Sequence, residues 1–203
     1  MLAQYGLPAR QVNVNEYAVP SEQVPSGAAW WISRLERYRM IGLRGNWESG
    51  TELHDLFANL LTKSNNPAAY TATDYAPAAE YAVYEYYNLN MTGSRVATTG
   101  SDDHLLDTYA TIGNGKVRAI VGARQQTGTW TLEFDNLSSL GFPTSGSITV
   151  QTYAFAGTNS ITDVAPAVQN QGLVSHSYSG NTLSFPIYQK DTKSAYAFEF
   201  NFP

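Results

Sequence analysis

The residue best placed to do chemistry in this sequence is Glu16, a carboxylate that follows a short β-favouring run. Residues 11–14 (Gln-Val-Asn-Val) favour a strand, and the run Val19-Pro20-Ser21 stops it. This pattern predicts that Glu16 lies where a strand meets a loop. A carboxylate in such a place can act as a general acid or base, or as a nucleophile. Glu16 is therefore the candidate catalytic residue.

A strand, a helix and a second strand are predicted around Glu16. The helix spans about 27–40 and is capped by Ser26. Its predicted apolar face consists of Ala28, Trp31, Ile32, Leu35 and Tyr38. The second strand spans 41–47. Arg44 lies on this otherwise apolar strand, where an arginine is expected to pair with a carboxylate, and Glu16 is one candidate partner.

Two further helices are predicted before the middle of the chain. Ser49 and Glu52 have the spacing of a capping box, and the apolar stripe after them extends to Leu61. Another helix is predicted to begin near Asp74 and to end at about Met91. Pro77 would fall in its first turn, where a proline is tolerated. The first half of the chain therefore has the alternating pattern of strand-helix units.

From Gly93 onward the hydrophobic period changes from helical to two, which predicts strands. Three sets of alternating apolar residues mark these strands: Trp130, Leu132 and Phe134; Leu183, Phe185 and Ile187; and Tyr196, Phe198 and Phe200. The dipeptide Asn114-Gly115 predicts a tight type I′ hairpin turn. We therefore predict an α/β domain over residues 1–92 and an all-β domain, an antiparallel β-sandwich, over residues 93–203.

The composition narrows the classes of partner. The 203 residues carry a formal net charge of −5, which argues against nucleic acid and against an anionic membrane surface. No apolar run is long enough to span a bilayer. The chain has no cysteine, and its three histidines, His54, His104 and His176, have no metal-ligand spacing. We expect no metal and no cofactor. Few charges and 13% aromatic residues suit a carbohydrate partner.

Four segments together resemble one enzyme family. They are 12–18 (Val-Asn-Val-Asn-Glu-Tyr-Ala), 29–37 (Ala-Trp-Trp-Ile-Ser-Arg-Leu-Glu-Arg), 42–47 (Gly-Leu-Arg-Gly-Asn-Trp) and 84–93 (Tyr-Glu-Tyr-Tyr-Asn-Leu-Asn-Met-Thr-Gly). In this order they resemble the C-terminal part of a fungal-type clan A retaining glycoside hydrolase. The resemblance spans essentially the whole chain and implies the last two βα units of a (β/α)₈ barrel followed by a β-sandwich.

The resemblance also implies roles for individual residues. Glu16 would end the seventh barrel strand as the nucleophile, and Trp47 would close the eighth as a floor under the reacting sugar. Asn15, Tyr17, Arg44 and His54 would contact the substrate. The proton-donating carboxyl would lie on the fourth strand, in six βα units that this chain does not contain. The chain would then be a fragment with little activity of its own, from a full-length extracellular enzyme.

Several alternatives stay open. Asn15-Glu16 also has the form of the family's acid/base motif, so Glu16 could fill that role instead. Trp47 could be packing at the end of a barrel, and Tyr17 and His54 could be structural. The chain could also be a non-catalytic module whose sandwich binds or supports glycan. The sugar stays open among β-xyloside, β-glucoside, β-glucuronide and arabinofuranoside, because all eight loops of a barrel select it.

Overall fold

A computed structural model describes residues 2–6, 8, 10–44, 60–63, 73–160 and 163–203. In chain order the elements are β1 (Asn13–Tyr17), α1 (Pro25–Arg37), β2 (Ile41–Arg44), β3 (Leu61–Lys63), β4 (Tyr75–Pro77), α2 (Tyr81–Asn90), β5 (Ser94–Arg95), β6 (Leu106–Gly113), β7 (Lys116–Ala123), β8 (Gly128–Phe134), β9 (Gly146–Phe155), β10 (Gln169–Tyr178), β11 (Leu183–Gln189) and β12 (Ala195–Asn201). Short 3-10 helices cover Leu2–Tyr5, Pro20–Glu22 and Leu137–Leu140.

The N-terminal elements form one strand-helix-strand unit. Strands β1 and β2 pair in parallel with α1 between them in sequence, as the sequence predicts. Their register is irregular between Val14 and Tyr17, and it resumes where Tyr17 pairs with Arg44. Because the strands are parallel, their carboxyl ends lie at one edge, and Glu16 lies at that edge. Strands β3 and β4 form a separate antiparallel pair.

Strands β5 to β12 form two antiparallel layers. Six of them make a sheet in the order β10-β9-β12-β7-β6-β5, and β8 pairs with β11. The three alternating sets predicted from the sequence meet in one core between the layers. The hairpin at Asn114-Gly115 is confirmed, since both residues have positive φ, 52° and 71°, between β6 and β7. The second half of the chain is therefore all-β.

The opposite face of the six-stranded sheet is covered by the two helices. Ala29 and Ile32 of α1 and Val83 of α2 pack there against Ile120 and Phe155. The close approach requires a glycine at position 122, since a Cβ there would lie 2.1 Å from the Ser26 carbonyl oxygen and 2.9 Å from the Ala29 Cβ. The division into two domains near Thr92 and the partial barrel stay predictions.

Helix α1 packs against neighbours on two sides, whereas the sequence predicted a single apolar face. Ala29 and Ile32 face the sheet, whereas Trp31 contacts Tyr17 and Leu35 approaches β2. Tyr38 is exposed, because the helix already ends at Arg37. The predicted cap was also wrong: the helix cap is Val24, and the Ser26 hydroxyl donates to the Ala123 carbonyl at 2.8 Å. Ser26 therefore joins the helix to the edge of the sheet.

The predicted end of one later helix and the predicted start of the other were also wrong. The stripe after Ser49 was predicted to continue to Leu61, but Leu61 begins β3, and the helix itself falls on residues outside the described ranges. The helix predicted from Asp74 begins at Tyr81, because residues 75–77 pair with β3. Pro77 favours this outcome, since the residue before a proline avoids helical geometry. Neither described helix is long and apolar enough to cross a membrane.

Candidate active site

Glu16 is exposed at the carboxyl end of β1 and has a strained backbone. Its φ is +61°, and that of Ala18 is +65°. Left-handed backbone is costly for a residue with a Cβ, by about 1–2 kcal/mol each, and it persists only where the surroundings hold it. Tyr17 and Ala18 supply that support, because both are buried. The segment therefore presents a carboxylate to solvent from an anchored base.

Tyr17 is held by aromatic neighbours from both helices. Its hydroxyl oxygen lies 2.8 Å from that of Tyr84 on α2, and its ring centroid lies 5.4 Å from that of Trp31 on α1. Gly42 leaves room for the ring, since a Cβ there would approach it to 2.9 Å. Burial raises the pKa of Tyr17 and raises that of Tyr84 well above its ordinary value. Both hydroxyls stay protonated near neutral pH.

The Ala18 carbonyl is held by two side chains. Gln23 donates to it through Nε2 at 3.3 Å, and Arg44 through Nη1 at 3.5 Å. Arg44 also forms a buried ion pair, but its partner is Glu80 and not Glu16. The reason is strand geometry: Arg44 pairs in register with Tyr17 on the buried side, whereas successive side chains on a strand point to opposite faces.

Glu80 is the site residue that sequence reasoning missed. It lies immediately before α2 and is 2% exposed. Burial raises its pKa to about 7, against the opposing effect of the Arg44 guanidinium. One carboxylate oxygen, Oε2, has no hydrogen-bond partner among the described residues. Little in the sequence marks this residue, because the helix predicted from Asp74 placed the glutamate in a helix interior.

A second buried carboxylate ties the loop after β1 to the β-layers. Glu22 is 1% exposed and accepts hydrogen bonds from Arg124 at 2.5 Å and from the Trp31 indole at 3.0 Å. The Arg124 guanidinium carbon lies 4.9 Å from the centre of the Trp30 ring. Arg124 follows the last residue of β7, so one side chain from the β half fixes the position of the loop that follows Glu16.

The structure separates the predicted site residues into three groups. Asn15 is exposed beside Glu16, while Tyr17 and Arg44 lie buried behind it. Trp47 and His54 lie outside the described residues. The substrate contacts expected of all five stay predictions.

Within the described ranges, no cluster of three or more His, Cys, Asp or Glu residues could hold a metal ion.

No protein-family model and no curated protein matches the sequence. The structure, however, is similar to several solved ones. N2152 from Neocallimastix frontalis superposes with a TM-score of 0.78 and 22% identity over 100% of this chain and 48% of that one. A Paenibacillus polymyxa xyloglucanase of glycoside hydrolase family 44 superposes with a TM-score of 0.55 and 15% identity over 97% of this chain and 33% of that one. A family 30 subfamily 8 xylanase from Clostridium acetobutylicum superposes with a TM-score of 0.52 and 17% identity over 97% of this chain and 46% of that one.

This chain spans less than half the length of each of these neighbours. At these identities the likeness establishes the fold alone. The fold is related to that of glycoside hydrolases of families 44 and 30.

Proposed function

We propose that this chain is part of a retaining glycoside hydrolase and contributes Glu16 as its nucleophile. One observation carries the proposal: in a fold related to glycoside hydrolases, an exposed carboxylate ends a parallel strand on a strained but anchored backbone. An observed backbone outlier that is held by its surroundings is typical of functional sites. The fungal-type, clan A and partial-barrel assignments belong to the same proposal.

The proposed reaction is a double displacement. A Glu16 carboxylate oxygen attacks the anomeric carbon, the glycosidic C–O bond breaks, and a second carboxyl protonates the leaving oxygen. The resulting ester is then hydrolysed by a water that the second carboxylate deprotonates, which regenerates Glu16. The two carboxyls must lie about 5–5.5 Å apart for this chemistry. We propose that a longer product supplies the second carboxyl and that the 203-residue chain alone hydrolyses aryl glycosides little or not at all.

The substrate proposed is a polysaccharide with a backbone of β-linked glucose or xylose. It is drawn from the names of the structural neighbours, which include an endoglucanase, a xyloglucanase solved with xyloglucan and a xylanase. Glucuronide and arabinofuranoside substrates belong in the same assay panel, because the sequence leaves them open. The enzyme is expected outside the cell.

The test is chemical rescue of a Glu16→Gly variant in the longest product that contains this chain. Glycine accepts a φ of +61° without strain, so the variant removes the carboxylate and keeps the backbone. With an activated β-glycoside and azide, loss of a nucleophile yields the α-glycosyl azide. Loss of an acid/base residue yields the β-glycosyl azide, which would assign Glu16 to the other role.

The matched control is Glu85→Gln, which changes an exposed carboxylate on α2. It should leave hydrolysis unchanged. Full activity in Glu16→Gly without azide would refute the proposal.

A second candidate function is glycan binding by the β-layers without turnover. It is favoured by a cavity of about 630 Å³ between the layers, whose lining includes Trp130, Thr131 and Glu133. The Trp130 indole donates to Asp103 at 3.2 Å, which fixes the ring. Affinity electrophoresis in xylan and β-glucan gels tests this function: Trp130→Ala should lose retention, whereas Tyr188→Ala, which removes an exposed aromatic ring, should keep it.

A further inference from the structure

Arg44 and Glu80 form a buried unit directly behind the strained segment that carries Glu16. We infer that these two are positioning residues, which fix the backbone at Ala18 and thereby the direction of the Glu16 carboxylate. This inference rests on the proposed nucleophile role of Glu16. It deepens that role by assigning side chains on β2 and at the start of α2 to the placement of the reacting group.

The segment needs such support because the strand ladder does not provide it. The pairing of β1 with β2 is irregular between Val14 and Tyr17, and Glu16, which lies between these two residues, has no partner residue on β2. The backbone is left-handed at Glu16 and again at Ala18. Without outside contacts, both residues would relax toward negative φ. Relaxation of that kind would turn the carboxylate away from its present direction.

The support comes from one turn of α2 together with β2. Glu80 and Tyr84 are four residues apart and so lie on the same side of the helix. Tyr84 holds the Tyr17 hydroxyl, while Glu80 holds Arg44, whose guanidinium reaches the Ala18 carbonyl. Tyr17 and Ala18, the two residues after Glu16, are thus held by the same turn of α2. Tyr84 contacts Tyr17 directly, and Glu80 acts on Ala18 through Arg44.

A buried ion pair such as Arg44 with Glu80 is an inefficient way to stabilise the fold alone. The side chains of Arg44 and Glu80 are 7% and 2% exposed, so both charges have lost most of their water. Well-packed apolar residues would often be as stabilising as such a pair, or more so. Glu80 also leaves Oε2 without a hydrogen-bond partner in the described part of the chain. A costly charge that reaches the segment beside Glu16 points to positioning.

The variants that test this are Glu80→Gln and the double variant Arg44→Met with Glu80→Gln. The first keeps the shape of the side chain, and the second leaves no single charge buried, so it guards against simple failure to fold. In the 203-residue chain, amides 16–19 should exchange roughly tenfold faster in both, with sandwich amides unchanged. In the active product, kcat should fall roughly 10–100-fold with KM nearly constant, as expected for a small misplacement of a reacting group.

The single and double variants should be about equally impaired, because the two residues act as one unit. Glu85→Gln should match the parent chain in both readouts. Unchanged exchange at 16–19 together with unchanged kcat in Glu80→Gln would overturn the inference, even if Glu16 proves to be the nucleophile. If Glu16→Gly keeps full activity, the proposed function fails, and the exchange result alone then decides whether Arg44 and Glu80 hold this segment.

Discussion

Replacing Asp107 by asparagine should be among the most destabilising polar changes in this chain. The Asp107 side chain is completely buried on β6, where it faces α1. Arg34 Nε lies 2.7 Å from its Oδ2, and Arg37 donates to both oxygens, with Nη1 to Oδ2 at 2.9 Å. The Thr108 amide adds a hydrogen bond at 2.8 Å. Asparagine keeps the volume but leaves two guanidinium groups without their anion.

Removing one partner of a buried ion pair typically costs about 3–5 kcal/mol. Both arginine side chains are only about one-sixth exposed, 16% and 15%, so water compensates little of that loss. With a urea m-value of about 2 kcal/mol/M, the midpoint should fall by roughly 2 M. Unfolding followed by tryptophan fluorescence measures this shift. Asp102→Asn, an exposed change in the preceding loop, is the control. An Asp107→Asn midpoint equal to that of the control would refute the reasoning.

Three further changes test the packing and the buried charge. Gly122→Ala should lower the free energy of unfolding by about 1–3 kcal/mol, since its Cβ meets the Ser26 carbonyl at 2.1 Å, and thermal melts measure this. Leu183→Ala should cost about 2–5 kcal/mol in urea titrations, whereas the same change at exposed Leu173 should cost under about 0.5 kcal/mol. Because burial raises the pKa of Glu80 to about 7 from 4.5, the native state holds this proton between those pH values while the unfolded chain loses it. Stability should therefore fall by roughly 3 kcal/mol as pH rises from 4.5 to 7, and urea titrations of Glu80→Gln across this range should lack that component.

Features set by neighbouring residues could be predicted from the sequence. Asn114-Gly115 forms a hairpin because these two residue types accept positive φ, whatever packs around them. The alternation at Tyr196, Phe198 and Phe200 placed these residues in the core between the layers for the same local reason. The position of Glu16 at the end of a strand followed from the proline that stops the run.

Features set by distant residues could not be predicted. Ser26 has the local signature of a helix cap, yet its hydroxyl bonds to Ala123, 97 residues away. The helix predicted from Asp74 loses its first residues to a strand that pairs with β3. Arg44 selects Glu80 because the register of β1 and β2 turns it away from Glu16, and no sequence pattern reports that register.

The buried carboxylates Glu199 and Glu80 differ in how far hydrogen bonds and ion pairs compensate their burial. That difference separates a carboxylate that supports the fold from one that lies behind the candidate site. Glu199 is stabilised as an anion: although burial alone would raise its pKa, hydrogen bonds from Lys116 at 2.8 Å and Tyr86 at 2.7 Å bring the pKa below its ordinary value. Its charge therefore helps α2 to pack on β12. Glu80 is the opposite case: burial raises its pKa, the Arg44 guanidinium offsets this only in part, and its Oε2 has no hydrogen-bond partner among the described residues. A carboxylate that costs stability when ionised, placed behind Glu16, is better explained by the geometry it imposes there than by the fold it supports.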